Sequence, residues 1–146
     1  MRMMLTRKGS ATLALLAVLL ACGADRPLVE SFDRGDWQPT PFQITSMGGQ
    51  YAAPRVAFVL RLEGLACRRL TVEGAVEIDP QPTLVGGRWF EEDGSTVLSG
   101  VLSSAAVDYF GGQGGRPSLG GQLVLSTDEA AIYRINLPRT TLTAER

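Results

Sequence analysis

The chain has 146 residues, 45% hydrophobic, 20% charged and 7% aromatic, the size and composition of one small domain rather than two. It contains no histidine, and its only lysine is Lys8, so imidazole general bases, Ser-His-Asp and Cys-His constellations, His-ligated metal sites and Schiff-base lysines beyond that position are excluded. Without Arg2, Arg7 and Lys8 the 14 basic residues fall to 11 arginines against 15 acids, a net charge of −4 with no basic stripe, which argues against a nucleic-acid partner.

Arg2, Arg7 and Lys8 precede an uncharged apolar run at 11–21 (ATLALLAVLLA), so residues 1–21 read as a secretory signal peptide. Eleven helical residues span only about 16 Å, roughly half a hydrocarbon core, which makes a transmembrane helix the weaker reading. The run ends in Leu19-Leu20-Ala21-Cys22. This segment resembles the lipobox of bacterial lipoprotein precursors, with aliphatic residues, a small residue and then the cysteine. The resemblance implies cleavage before Cys22, diacylglycerol on its sulfur and a further acyl chain on its new amino group. A thiol is the side chain nucleophilic enough for that alkylation, and two or three acyl chains anchor durably where one does not. Gly23 follows the cysteine where an Asp would favour the inner membrane of a Gram-negative cell, so the resemblance implies the outer membrane, facing the periplasm or the cell surface. The plainer alternative is an ordinary signal peptide cut after Gly23 or Ala24.

Residues 22–40 then read as the lipidated cysteine and a tether, proline-punctuated and aperiodic, with one short strand at Leu28–Phe32. From residue 41 to 146 the period is two. Phe42–Met47 reads as a strand. Val56, Phe58, Leu60 and Leu62 alternate with Ala57, Val59, Arg61 and Glu63, and Leu70, Val72, Val76 and Ile78 alternate with Thr71, Glu73, Ala75 and Glu77, with Gly74 on the apolar side. The short link Gly64–Arg69 makes this pair adjacent and antiparallel, and Asp79-Pro80-Gln81-Pro82 ends it. Asp93-Gly94 turns a hairpin between Arg88–Glu92 and Thr96–Leu102. The uncharged stretch Thr96–Val107 belongs centrally in a sheet, because an open edge of that composition invites aggregation. Gln122–Ser126 and Ala131–Leu137 complete the set, with Pro138 closing the last, and no segment shows a helical period with caps. The expected fold is all-β: a β-sandwich of about seven or eight antiparallel strands and immunoglobulin-like size, with a small β-barrel as the alternative.

Four patterns are candidates for chemistry. The run Gly111–Gly121 follows a strand, yet Pro117 stands where a dinucleotide loop needs glycine and no Gly-Lys-Ser/Thr exists, so it reads as a long flexible hairpin loop with Arg116 as its only charge. Cys67 is the lone thiol of the domain if Cys22 is lipidated; burial is the expected state, although Arg68 and Arg69 would activate an exposed sulfur. Glu91, Glu92 and Asp93 read as an exposed charged turn without the alternating ligand pattern of a calcium loop. Trp89 and Phe90 point to opposite faces of one strand, so at most one lies in the core and the other is the candidate binding surface, together with Arg116.

By elimination the expected function is a non-catalytic, membrane-anchored binding or assembly module of the bacterial cell envelope. It has no catalytic residue, no metal and no cofactor, and its partner is an envelope protein or glycan. The rivals are a carbohydrate-binding or carboxylate-dependent hydrolytic domain using Glu91, Asp93 or Asp108 with Trp89, and a lipid carrier, which requires an apolar cavity.

Overall fold

A computed structural model describes residues 27–52, 54–94, 97–111 and 116–144, with backbone alone at 104–106 and 144. Cys22 lies outside the described residues. Ten strands are formed: β1 (Val29–Asp33), β2 (Asp36–Thr40), β3 (Phe42–Ala52), β4 (Arg55–Gly64), β5 (Arg69–Glu77), β6 (Thr83–Glu92), β7 (Val97–Phe110), β8 (Ser118–Ser126), β9 (Ala131–Thr141) and β10 (Thr143–Ala144). No helix occurs among the described residues, and the fold is all-β as its periodicity predicts.

One curled sheet holds all ten strands in the order β10-β3-β4-β5-β6-β7-β8-β9-β1-β2. From β3 to β9 each strand pairs antiparallel with the next; β1 then pairs with β9, and β10 lies parallel to β3. β2 and β3 are one stretch of chain interrupted only at Pro41, which has no N–H to give to a ladder. The first half bonds to β1 and the second to β4, so the pairing circuit returns to the stretch where it began. The sheet is thereby curled into a half-barrel, an arrangement that suits a β-sandwich or a small barrel, with β10 paired to β3 at one edge and β2 to β1 at the other.

The inward positions carry the core. Val56, Phe58, Leu60 and Leu62 of β4, Leu70, Val72 and Val76 of β5, Leu123 and Leu125 of β8, and Ile135 and Leu137 of β9 form one buried cluster. Each fully buried aliphatic side chain contributes about 1.5–3 kcal/mol against exposure. Two glycines make room for Phe58 and Leu102: a Cβ on Gly74 would stand 2.8 Å from Phe58 Cζ, and one on Gly87 only 2.5 Å from Leu102 Cδ2. On the outside, Arg55–Glu77, Arg69–Glu92 and Arg88–Glu73 pair across β4, β5 and β6. Such exposed pairs add little stability but oppose any other register.

Several boundaries differ from the sequence reading. The stretch before residue 41 is not all tether, because β1 and β2 are integral strands of the sheet: Val29 is fully buried, Asn136 N donates to Leu28 O at 2.7 Å, and Glu30 pairs with Arg134. β9 runs past Pro138 to Thr141, since the proline falls at a register shift opposite Gly120 where no ladder donor is required. β8 starts at Ser118, so the glycine-rich connection is shorter than 111–121; residues 112–115 lie outside the described part. β7 does occupy an interior place in the strand order, but it is staggered, bonded to β6 only over Val97–Val101 and to β8 only over Val101–Phe110.

The meander sorts its turns to two ends. Among the described residues, the end carrying the β1–β2, β4–β5, β6–β7 and β8–β9 connections holds Asp33, Asp36, Glu63, Glu91, Glu92, Asp93, Asp128 and Glu129 against Arg34, Arg68 and Arg69. The opposite end, with the β3–β4, β5–β6 and β7–β8 connections, holds Glu77, Asp79 and Asp108 against Arg55, Arg116 and Arg139. One end is strongly acidic and the other is neutral.

Candidate functional site

At the acidic end a polar cluster caps the core. Glu91, on the inward side of β6, is only 7% exposed, and a lone carboxylate there would be too costly to bury. Tyr133 of β9 donates its hydroxyl to Glu91 Oε1 at 2.7 Å, and Arg68, just before β5, donates Nε to Glu91 Oε2 at 2.7 Å. The Arg68 fork also reaches the Tyr133 hydroxyl, and its guanidinium lies 5.2 Å from the centre of the Phe42 ring. Tyr133 packs edge-on against both Phe42 and Trp89, each at 5.9 Å. Thus β3, the β4–β5 loop, β6 and β9 are tied together over the end of the core.

Electrostatics follow from this geometry. Burial, reinforced by the hydrogen bond to Glu91, pushes the Tyr133 phenol well above the ordinary tyrosine range. Burial works against the Arg68 charge, but the hydrogen bond to Glu91 and the nearby Tyr133 and Glu91 outweigh it and hold the guanidinium protonated more firmly than usual. Both Glu91 oxygens are occupied, so an acid–base role for this carboxylate would first have to break two charge-assisted bonds. Among the described residues no three His, Cys, Asp or Glu side chains converge as metal ligands.

The sequence candidates are placed as follows. Trp89 is fully buried and donates its indole N–H to Ser126 O at 3.0 Å, which removes it from any binding surface. Phe90, of opposite parity, is the half-buried outer member of the pair. Arg116 is exposed beside the β7–β8 connection, on the neutral end, and does not approach Phe90's strand through any pairing of β6. Cys67 is exposed, not buried, because Ala66 and Cys67 turn the β4–β5 loop through left-handed backbone (φ 59° and 61°) and swing the sulfur outward. Glu91 is the other correction: it belongs to the buried polar cluster, whereas Glu92 forms the exposed pair with Arg69. Asp93 lies exposed at the hairpin turn and Asp108 exposed towards the neutral end, so these carboxylates do not join Glu91 and Trp89 in one cleft.

A second feature was not legible in the residues. Because of the stagger, Val97–Ser99 is paired with β6 on one side and with no strand among the described residues on the other, while Gly100 lies against the Ser126 backbone at the end of β8. Val97 is 65% and Val101 59% exposed, Leu98 is also exposed, and Ser99 between them is uncharged. An uncharged, aliphatic strand segment with one open edge is what an added strand requires. Comparison with protein-family models, with characterised proteins and with solved structures finds no match for this chain.

Proposed function

We propose that the chain is a bacterial envelope lipoprotein, held by acyl chains on Cys22, whose β domain is a non-catalytic binding or assembly module. The single observation that supports the second half is the half-paired segment Val97–Ser99, with the exposed side chains of Val97, Leu98 and Val101. Its chemistry suits one kind of occupant, an extended stretch of a partner protein that adds main-chain hydrogen bonds along the edge and sets apolar side chains against the valines. The membrane half rests on the segment Leu19-Leu20-Ala21-Cys22.

The test is a pull-down from detergent-solubilised membranes with the acylated protein and a Val97→Lys/Ser99→Lys variant. Lysines repel strand addition, while both side chains are exposed and the backbone that pairs with β6 is unchanged, so the fold should keep its melting temperature. Capture of one reproducible partner by the native protein, lost in the variant, is the expected result. Equal capture by both would sink the role of this edge. In parallel, Cys22→Ser should abolish acyl labelling and release the protein from membranes.

A further inference from the structure

We propose that the domain stands on the bilayer on its neutral end, with the acidic end and its half-paired β7 arm turned away from the lipid. This inference rests on the acylation of Cys22 proposed above. The first constraint is the length of chain outside the structure. Residue 22 is five residues from Pro27, at most about 18 Å of fully extended chain. Pro27 is fixed at mid-height, since Asn136 Nδ2 donates to its carbonyl at 3.1 Å and Asn136 lies near the middle of β9. From there to Thr141 at the neutral end is about 17 Å of strand, or less once the strand tilts.

β1 runs from the neutral side towards the acidic end, so a chain that continues straight back from Pro27 brings residue 22 level with the neutral rim and no further. To place residue 22 beyond the acidic end the chain would have to reverse. A reversal consumes about two or more of the available residues and leaves too little length for the remaining distance. The reach of the chain thus excludes the acidic end as the lipid-facing one and is compatible with the neutral end, reached by a chain running straight back along β1.

Charge selects the same orientation. An anionic bilayer repels the end with eight acids against three arginines and tolerates the end where three and three balance, both counted among the described residues. Interfacial groups do not separate the two ends, since the acidic end carries Phe32, 45% exposed against Trp37, and Leu65, 54% exposed, while the neutral end has its own. Tyr51 is 53% exposed beside Arg55, and Arg139 covers the Phe110 ring at 4.3 Å. Aromatic rings and arginines of this kind sit well at the level of the headgroups.

Cys67, exposed at the acidic end, supplies a natural probe site, because the sulfur of acylated Cys22 cannot be labelled. The full-length acylated protein is reconstituted into phosphatidylethanolamine and phosphatidylglycerol vesicles containing a headgroup nitroxide lipid. A fluorophore on Cys67 is compared with one on a Cys67→Ser/Gln81→Cys variant, whose thiol sits in the exposed β5–β6 loop of the neutral end. The probe at residue 81 should be quenched several-fold more than the probe at residue 67. A Cys67→Ser/Asp128→Cys variant, on the β8–β9 turn, should behave as Cys67 does and guards against a local effect of the label. The reverse order overturns the orientation, and so does equal quenching, which describes a domain lying on its side. Failure of the acylated preparation to float with vesicles overturns the anchoring reading as well, and is told apart by that flotation step alone.

Discussion

Tyr133 is the residue on which the buried polar cluster can be probed most directly. Its phenol is neutral in the fold and its ionisation is displaced upward by burial and by the bond to Glu91. In the unfolded chain a tyrosine loses its proton near pH 10, so above that pH the folded state binds more protons than the unfolded one. The slope of unfolding free energy with pH is then negative: the contribution is complete below about pH 10 and is lost as pH climbs towards the folded value. Tyr133→Phe should therefore do two things in urea titrations. At neutral pH it should cost about 1–3 kcal/mol, because Glu91 Oε1 is left buried without its donor. At alkaline pH it should flatten the decline, since the displaced phenol is gone. A variant that loses neutral-pH stability yet declines as steeply as the parent would show that the alkaline loss has another origin.

Among the strands, two adjacent glycines of β6 should respond oppositely to substitution. A Cβ at Gly87 meets Leu102 Cδ2 at 2.5 Å and Glu73 O at 2.8 Å, so the clash is partly with backbone that cannot yield. Gly87→Val should lower stability by about 1–3 kcal/mol or more, as overpacking does. A Cβ at Gly86 meets nothing within 4 Å, so Gly86→Ala should be neutral or raise stability by up to about 1 kcal/mol through the unfolded chain. Melting curves of the two variants decide the point, and equal losses would contradict the packing described for Leu102.

How much of these elements could be read beforehand depended on where each strand's partners lay. β4 and β5 were legible because the inward face of β4 is buried at every position from Val56 to Leu62, and that of β5 at Leu70, Val72 and Val76, interrupted only at Gly74, which has no side chain to bury. β2 was not, since Trp37-Gln38-Pro39-Thr40 lies at the end of the sheet order and buries no side chain fully, leaving no period to see. The polar cluster was illegible for a different reason. Glu91 is buried only because Tyr133, 42 residues away in sequence, and Arg68, 23 away, arrive at the same place. Nothing local distinguishes it from the exposed Glu92 beside it, apart from its inward parity with Trp89. Parity was the one available signal, and it also settles which of Trp89 and Phe90 faces out.

For the molecule as a whole, the consequence is that a chain cut at residue 41 lacks two strands of the sheet. Removing β1 and β2 leaves Tyr133 and Ile135 of β9 without the strand that pairs with them, and takes Val29, fully buried, out of the core. It also removes the Glu30–Arg134 pair, whose guanidinium lies 4.6 Å from the centre of the Trp37 ring. Burial of Val29 alone is worth about 1.5–3 kcal/mol, a large share of the stability of a domain this size. More important, the pairing circuit no longer returns to its start, because β3 would keep β4 while β9 lost β1. A chain starting at residue 27 should unfold in one cooperative transition with strongly protected amides in β9. A chain starting at residue 41 should show a lower midpoint and early exchange of the β9 amides facing β1, with β4 and β5 still protected. If both chains melted at the same temperature with the same β9 protection, β1 and β2 would be an appended tether after all. The short reach from Pro27 that keeps the acidic end from the lipid would then no longer hold.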